Sequence, residues 1–195
     1  MDVVIVKYNA GNILSVDLAL KRLGVNALIT GDADAIYRAD KVIFPGVGEA
    51  GTTMKYLHEH QLDSVIASLK QPVLGICLGL QLLCSHSDES DTSCIGIFNE
   101  QVKKFEPSPG LKVPHMGWNK INHVNGPLLD ASLEGRYVYF VHSYYATCGN
   151  NTAAVTEYTV PFSSVMAKDN FFAVQFHPEK SGATGEQILK NFLAL

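Results

Sequence analysis

One stretch limits the possible folds more than any other: Pro72-Val73-Leu74-Gly75-Ile76-Cys77-Leu78-Gly79-Leu80-Gln81-Leu82-Leu83. Its first part is an apolar run suited to a buried strand, and its second an apolar run of helical composition. At the join two glycines flank a cysteine, Gly75-x-Cys77-x-Gly79. Small neighbours let strand and helix approach each other, and the sharp turn projects Cys77 from the carboxyl edge of a sheet, as a Gly-x-Ser-x-Gly elbow projects its serine. Free N–H groups and the positive end of the next helix favour a thiolate there. In isolation the motif fits two readings equally: a nucleophile, or a cysteine buried as a small hydrophobe.

The segments before the elbow define the sheet. Val3 to Val6 is a short apolar run of the kind that fills a parallel strand covered on both faces. A turn, Tyr8-Asn9-Ala10-Gly11-Asn12, leads to a helix over Ile13 to Leu23 with Leu14, Leu18 and Ala19 at helical spacing, closed by Gly24. A second strand at Val25 to Thr30, a short helix at Ala33 to Ala39 and a third strand at Lys41 to Phe44 follow. Alternating strands and helices imply right-handed crossovers and a parallel sheet. The third strand runs into Pro45-Gly46-Val47-Gly48 at the edge where open α/β sheets bind ligands. That turn fits a phosphate loop, an oxyanion hole or a plain tight turn, and the full G-x-G-x-x-G pattern fails. Helical segments from Gly51 to Lys70 lead into the elbow; His58 and His60, two apart on a helix, face different ways and read as solvated. Ser85 to Ser93 reads as a polar loop.

From Ile95 the texture changes. Runs of β-formers at 101–105, 113–121, 136–141, 153–158, 164–167 and 171–176 are split by Gly, Asn and Pro turns, which suits antiparallel hairpins appended to or extending the sheet. Gly185 to Leu195 reads as an amphipathic helix packed back on it. A chain of 195 residues with 47% apolar and 17% charged residues can build a full core, and we expect one domain over residues 1–195. Net charge is -4, and Lys103-Lys104 is too short a basic cluster for nucleic acid. No basic segment precedes the first apolar run, so it reads as a strand and not as a signal peptide, and no apolar stretch is long enough to cross a bilayer. Cys77, Cys84, Cys94 and Cys148 show no C-x-x-C pair or zinc spacing. Neither a metal nor a cofactor is expected. Reduced thiols in the cytoplasm are the simplest account, with Cys84 as core packing.

The last strand ends Ala173-Val174-Gln175-Phe176-His177-Pro178-Glu179. In an extended segment His177 and Glu179 share a side, and Pro178 disfavours the helical region for His177. A histidine beside a carboxylate gains an orienter that fixes its tautomer. With Cys77 the two make a nucleophile, an acid/base and an orienter, a set suited to acyl transfer.

At these residues the chain resembles the class I (triad) glutamine amidotransferases. Gly75-Ile76-Cys77-Leu78-Gly79-Leu80-Gln81 and Phe176-His177-Pro178-Glu179 match the family's two hallmark segments. Within the family the narrower likeness is to glutaminase subunits of imidazole glycerol phosphate synthases. It rests on residues 8–12, 45–48, Pro114-His115-Met116-Gly117-Trp118-Asn119, Tyr139-Phe140-Val141-His142-Ser143-Tyr144 and 177–182. The resemblance implies a flavodoxin-like three-layer α/β fold, with a mostly parallel sheet and an antiparallel extension in the second half. It implies that Cys77 attacks the side-chain amide of glutamine, with His177 as acid/base and Glu179 as its orienter. Backbone N–H groups of Val47 and Leu78 would meet the oxyanion, and Gly48, Gln81, Glu89, His142, Ser143 and Tyr144 would hold glutamine. It also implies a separate (β/α)₈-barrel cyclase as partner in a heterodimer, receiving ammonia out of contact with bulk water, with Asn12, Trp118, Tyr139 and Lys180 on or near the interface. By themselves, Trp118 also fits a core or sheet-face aromatic and Lys180 a solvated charge. A peptide flip at Val47, eased by its flanking glycines, would tie activity to the partner. Two rival readings are a glutaminase serving another synthase, such as pyridoxal phosphate synthase, and a non-catalytic redox sensor built on the elbow cysteine.

Overall fold

The computed structural model describes residues 1–9 and 11–195; Ala10, inside the turn expected at 8–12, lies outside the described residues. The first half alternates as expected: β1 (Val3–Val6), α1 (Ile13–Arg22), β2 (Leu28–Thr30), α2 (Ala33–Arg38) and β3 (Lys41–Gly46), then α3 (Ala50–Glu59), α4 (Leu62–Ser68), β4 (Val73–Cys77) and α5 (Leu78–Leu83). The second half holds β5 (His86–Ser87), β6 (Thr92–Ser93), β7 (Gln101–Lys104), β8 (His115–Lys120), β9 (Tyr137–His142), β10 (Tyr144–Ala146), β11 (Thr152–Glu157), β12 (Pro161–Lys168), β13 (Phe171–Val174) and the closing helix α6 (Gly182–Ala194).

Seven strands form the central sheet in the order β11-β12-β13-β4-β3-β1-β2. From β13 to β2 every neighbouring pair is parallel, while β12 and β11 continue the sheet antiparallel. Alternate residues of β1 face opposite cores: Val3 and Ile5 join one with α1, α6 and the β8–β9 ribbon, and Val4 and Val6 join the other with α2 to α5. Burial on both faces is what makes the strand sequences continuous apolar runs. The three-layer α/β fold is therefore as expected. Among the described residues no helix is long and apolar enough to cross a membrane.

The structure corrects or sharpens three local readings. The expected loop at 85–93 contains β5, a 3-10 turn and β6, and β5 pairs with β7 in a second sheet ordered β10-β7-β5-β6. Those strands are two residues long, too short for any periodicity to show. The antiparallel hairpins divide: β11 and β12 extend the main sheet, whereas β8 and β9 form their own ribbon. Leu14 and Leu18 do not pack inward; they are exposed, and α1 buries Val16, Asp17, Ala19 and Leu20 instead. Leucine at helical spacing marks a stripe, but the sheet decides which stripe it covers.

Candidate active site

The parallel order puts four chain crossings side by side at one edge. The loops after β1, β3 and β4 and the segment after β13 all leave carboxyl ends of adjacent strands. Ligands of open α/β sheets bind at this edge.

Cys77 closes β4 and caps α5 with φ 55° and ψ -108°, outside the left-handed helical region and a conformation that L-residues rarely hold. The flanking glycines are there for space. A Cβ on Gly79 would stand 1.9 Å from the Phe44 carbonyl oxygen, and one on Gly75 would stand 3.0 Å from the Gly79 backbone. The N–H of Leu78, first residue of α5, has no intrahelical acceptor and is free for another.

His177 follows β13 by three residues, and β13 lies beside β4, so the histidine comes to Cys77. Its side chain is 1% exposed, and Nδ1 is 2.8 Å from Glu179 Oε1. The route differs from the extended pair read from sequence. His177 is extended, but Pro178–Lys180 forms a 3-10 turn, because proline suits the first position of a helical turn. The turn still returns Glu179 to the imidazole. The backbone of His177 donates to Tyr139 O at 2.9 Å, and Tyr139 N donates to Ser181 Oγ at 2.9 Å, so β9 holds the segment from both ends.

Asn12 adds a contact that sequence reasoning missed. Its amide nitrogen donates to Glu179 Oε1 at 2.5 Å and lies 3.3 Å from His177 Nδ1. The signal was within the Tyr8–Asn12 motif, but only the fold shows where that loop points. Burial works against a charge on His177, yet the nearby Cys77 sulfur and the Glu179 carboxylate outweigh it and raise the imidazole to about 9. No well-aligned hydrogen bond joins His177 Nε2 to the sulfur, so proximity carries that effect. Burial likewise opposes charge on Glu179, and its hydrogen bond with His177 prevails and lowers its pKa.

A cleft of about 290 Å³ lies over Cys77, lined by Val47, Gly48, Leu78, Gln81, Glu89, Pro114, Val141, His142, Ser143 and Tyr144. Every residue that the resemblance assigned to the oxyanion or to glutamine is on this wall, together with Pro114 and Val141, which it did not assign. His177 and Glu179 sit behind the cysteine, off the lining. Glu89 has a structural task as well: Oε2 accepts the Ala50 N–H at 2.8 Å at the start of α3, and burial raises its carboxyl.

His142 is fully occupied. Nδ1 donates to the Tyr144 carbonyl at 2.7 Å, and Nε2 lies 2.9 Å from His115 Nδ1 in an aromatic cluster with Phe105, Phe140 and Phe162. Burial holds His142 down to about 3 and His115 to about 4, so both are neutral. The Pro45–Gly48 loop is freer at one end than at the other. Gly46 belongs to β3, opposite Cys77, and a Cβ on it would meet the Tyr8 hydroxyl, which donates to Pro45 O at 2.6 Å. Gly48 has φ 132° with open space around its Cα. Only the Gly48 side of Val47 is therefore loose, which corrects the expectation of freedom on both.

Residues 10–195 match the family described as glutamine amidotransferase class-I. The chain belongs to the class-I glutamine amidotransferases. It is 58% identical over 196 residues to "Imidazole glycerol phosphate synthase subunit HisH" of Bacteroides thetaiotaomicron, covering 100% of both chains. The protein of that name from Idiomarina loihiensis is 47% identical over 100% of this chain and 98% of its own. Among solved structures, a glutamine amidotransferase superposes with a TM-score of 0.74 at 18% identity, covering 98% of this chain and 97% of that one. Another, from Thermotoga maritima, gives 0.61 at 15% identity, covering 100% and 83%. At such identities these two speak to the fold alone.

The exposed face of the amidotransferase adds one more feature. Trp118 and Met116 stand out from the β8–β9 ribbon, 56% and 63% exposed, and Trp118 meets Tyr139 edge-on at 5.9 Å. Trp118 is thus an exposed sheet-face aromatic. Cys84 is buried, its thiol raised by desolvation and directed to Leu80 O, a core residue as expected. Among the described residues no cluster of three His, Cys, Asp or Glu could hold a metal.

Proposed function

We propose that this chain is the glutaminase subunit of an imidazole glycerol phosphate synthase, working through Cys77, His177 and Glu179. The observation that carries the reading is the placement of the buried His177–Glu179 pair beside an elbow cysteine that opens on the cleft, in a chain 58% identical over its whole length to a protein of that name.

Cys77 Sγ attacks the amide carbon of bound glutamine. The Leu78 and Val47 N–H groups receive the oxyanion, the latter once the loop presents it. The His177 imidazolium gives its proton to the departing ammonia, leaving a γ-glutamyl thioester. Neutral His177 then takes a proton from water, whose oxygen attacks the thioester and releases glutamate and the thiolate. Glu179, held by Asn12, keeps the imidazole oriented and its charge favoured. Gly48, Gln81, Glu89, Ser143, Tyr144 and the backbone of His142 bind glutamine, several of them through backbone atoms, with the whole chain as one domain in the cytoplasm.

The partner is a separate (β/α)₈-barrel cyclase that receives the ammonia. It docks on the face bearing Trp118, Tyr139, Asn12 and Lys180, where Met116 and Tyr137 add exposed apolar area. Exposed aromatics and methionine are enriched in such interfaces. No feature of the molecule favours service to a pyridoxal phosphate synthase, and a complete acid–base set argues against a mere redox sensor. The test is glutamate release from glutamine, by the chain alone and with a cyclase subunit and its nucleotide ligand. Strong stimulation that disappears in Cys77→Ala is expected; equal turnover with and without the cyclase would reject the pathway.

A further inference from the structure

Gln175 lies one residue past β13 and two before His177, and it is fully buried. It takes no part in the acid–base pair and does not line the cleft. Its side-chain nitrogen is 3.8 Å from Cys77 Sγ, and its Oε1 accepts Gln81 Nε2 at 3.1 Å. Gln81 Nε2 also donates to the Tyr144 carbonyl at 3.0 Å.

The direction of this chain of contacts follows from chemistry. A backbone carbonyl only accepts, so the end of Gln81 that meets Tyr144 O must be the amino end. That carbonyl also receives the His142 Nδ1–H, which fills its second lone pair. Both hydrogens of Gln81 Nε2 are then committed, one to Tyr144 and one to Gln175 Oε1. Gln175 must turn its own NH2 toward the sulfur. Reversing it would set two amino groups against each other and an oxygen against the thiolate. The Gln81 carbonyl oxygen is left as the polar end not used by this relay.

We propose that Gln175 is a catalytic residue: its side-chain amide donates to Cys77 Sγ and stabilises the thiolate, with the Tyr144 carbonyl dictating, through Gln81, which end of the amide faces the sulfur. The proposal rests on the reading of Cys77 as nucleophile. It gives the thiolate a neutral donor that survives when His177 surrenders its proton. It raises the fraction of thiolate available before acylation and helps most when water opens the thioester, where the thiolate is the departing group. Hydrogen bonds to the charged form of an acid favour that form.

The test is the pH dependence of Cys77 alkylation by iodoacetamide, with the modified site read by mass spectrometry, beside glutamate release. The variants are Gln175→Met, which keeps bulk without a donor, and Gln175→Glu, which keeps shape but sets a carboxylate against the sulfur. The other titratable groups around Cys77 are unchanged in both: His177 after β13, Tyr8 on the β1–α1 loop, His142 on β9 and Glu89 across the cleft. Gln175→Met should alkylate about 10-fold more slowly at neutral pH and recover at higher pH, a one-unit shift. Gln175→Glu should shift further. Profiles identical to the parent in folded variants would overturn the proposal. Should neither variant fold, the parent itself decides: its Gln175 side-chain ¹⁵N signal should move with the midpoint of Cys77 alkylation, and a signal unmoved through that range would overturn it. Full glutamate release from protein alkylated at Cys77 would instead defeat the nucleophile reading, which an unchanged Gln175 profile alone would leave standing.

Discussion

The elbow at Cys77 and the loop at Pro45–Gly48 leave adjacent strands side by side at the cleft, and both depend on glycine for opposite reasons. In the elbow the glycines are required by crowding: nothing larger fits between Gly79 and the Phe44 carbonyl. At Gly48 there is room for a side chain, and only the dihedral angle, φ 132°, resists one. A crowded glycine fixes a structure, whereas an uncrowded glycine at an unusual angle leaves a peptide able to turn. The proposed nucleophile is thus set rigidly and the proposed oxyanion donor at Val47 is not. Such a division suits a site whose activity waits on a partner.

The largest expected effect is chemical. Cys77→Ala should lower glutamate release at least about 10³-fold, as loss of a nucleophile does in other triads. Cys77→Gly should be equally inactive yet more stable than Cys77→Ala by about 1 kcal/mol in urea unfolding, because glycine accepts φ 55°. If the alanine variant proves the more stable, the elbow is not strained.

Gly79→Ala should destabilise by about 3 kcal/mol or more, since its Cβ meets backbone and no rotamer change relieves it. Gly48→Ala should cost only about 1 kcal/mol of stability while lowering glutamate release about 10²-fold, the loss typical of a missing oxyanion donor. Equal destabilisation in the two alanine variants would erase the contrast between crowding and angle.

Titration should separate two sets of buried histidines as well. His177, on the cysteine side, is raised to about 9 from an unfolded value near 6.5, so its contribution is complete below about pH 6.5 and is lost as pH climbs to 9. His142 and His115, in the aromatic cluster of β8 and β9, are held neutral, and their environment costs stability as pH falls below about 6.5. The urea midpoint should peak near pH 6.5, and His177→Gln should flatten only its alkaline side. A parent midpoint that keeps rising to pH 9 would contradict this.

The smallest effect expected is in Tyr8→Phe, which removes one buried hydrogen bond to Pro45 O for about 1 kcal/mol. If Tyr8 anchors the fixed end of the loop, the variant should also change the factor by which the cyclase stimulates glutamate release. An unaltered factor would leave Tyr8 as packing only.

Much of this was legible in the chain itself. Short apolar runs between helical stretches specify a covered parallel sheet, because burial on both faces leaves no room for polar alternation. Gly75-x-Cys77-x-Gly79 specifies the elbow, because only glycine lets the strand and helix touch there. His177 and Glu179 were legible as a pair because they are neighbours in sequence. The contacts among remote segments were not. Asn12 reaches Glu179 across 167 positions of chain, and Gln175 reaches Cys77 across 98. The Tyr8–Asn12 motif does not show where its loop points, and Gln175 carries no local signal, since an isolated glutamine reads the same on a surface as in a relay. The inward turn of α1, the separation of the β8–β9 ribbon and the direction of the Gln81 amide likewise depend on which surfaces meet. Sequence alone determined most of the strands and the elbow, through local sterics and the need to bury apolar runs, and put forward Cys77, His177 and Glu179 as the proposed reacting groups. Tertiary structure alone decided what holds those groups, because hydrogen bonds between distant segments exist only once the sheet order has brought their strand ends together.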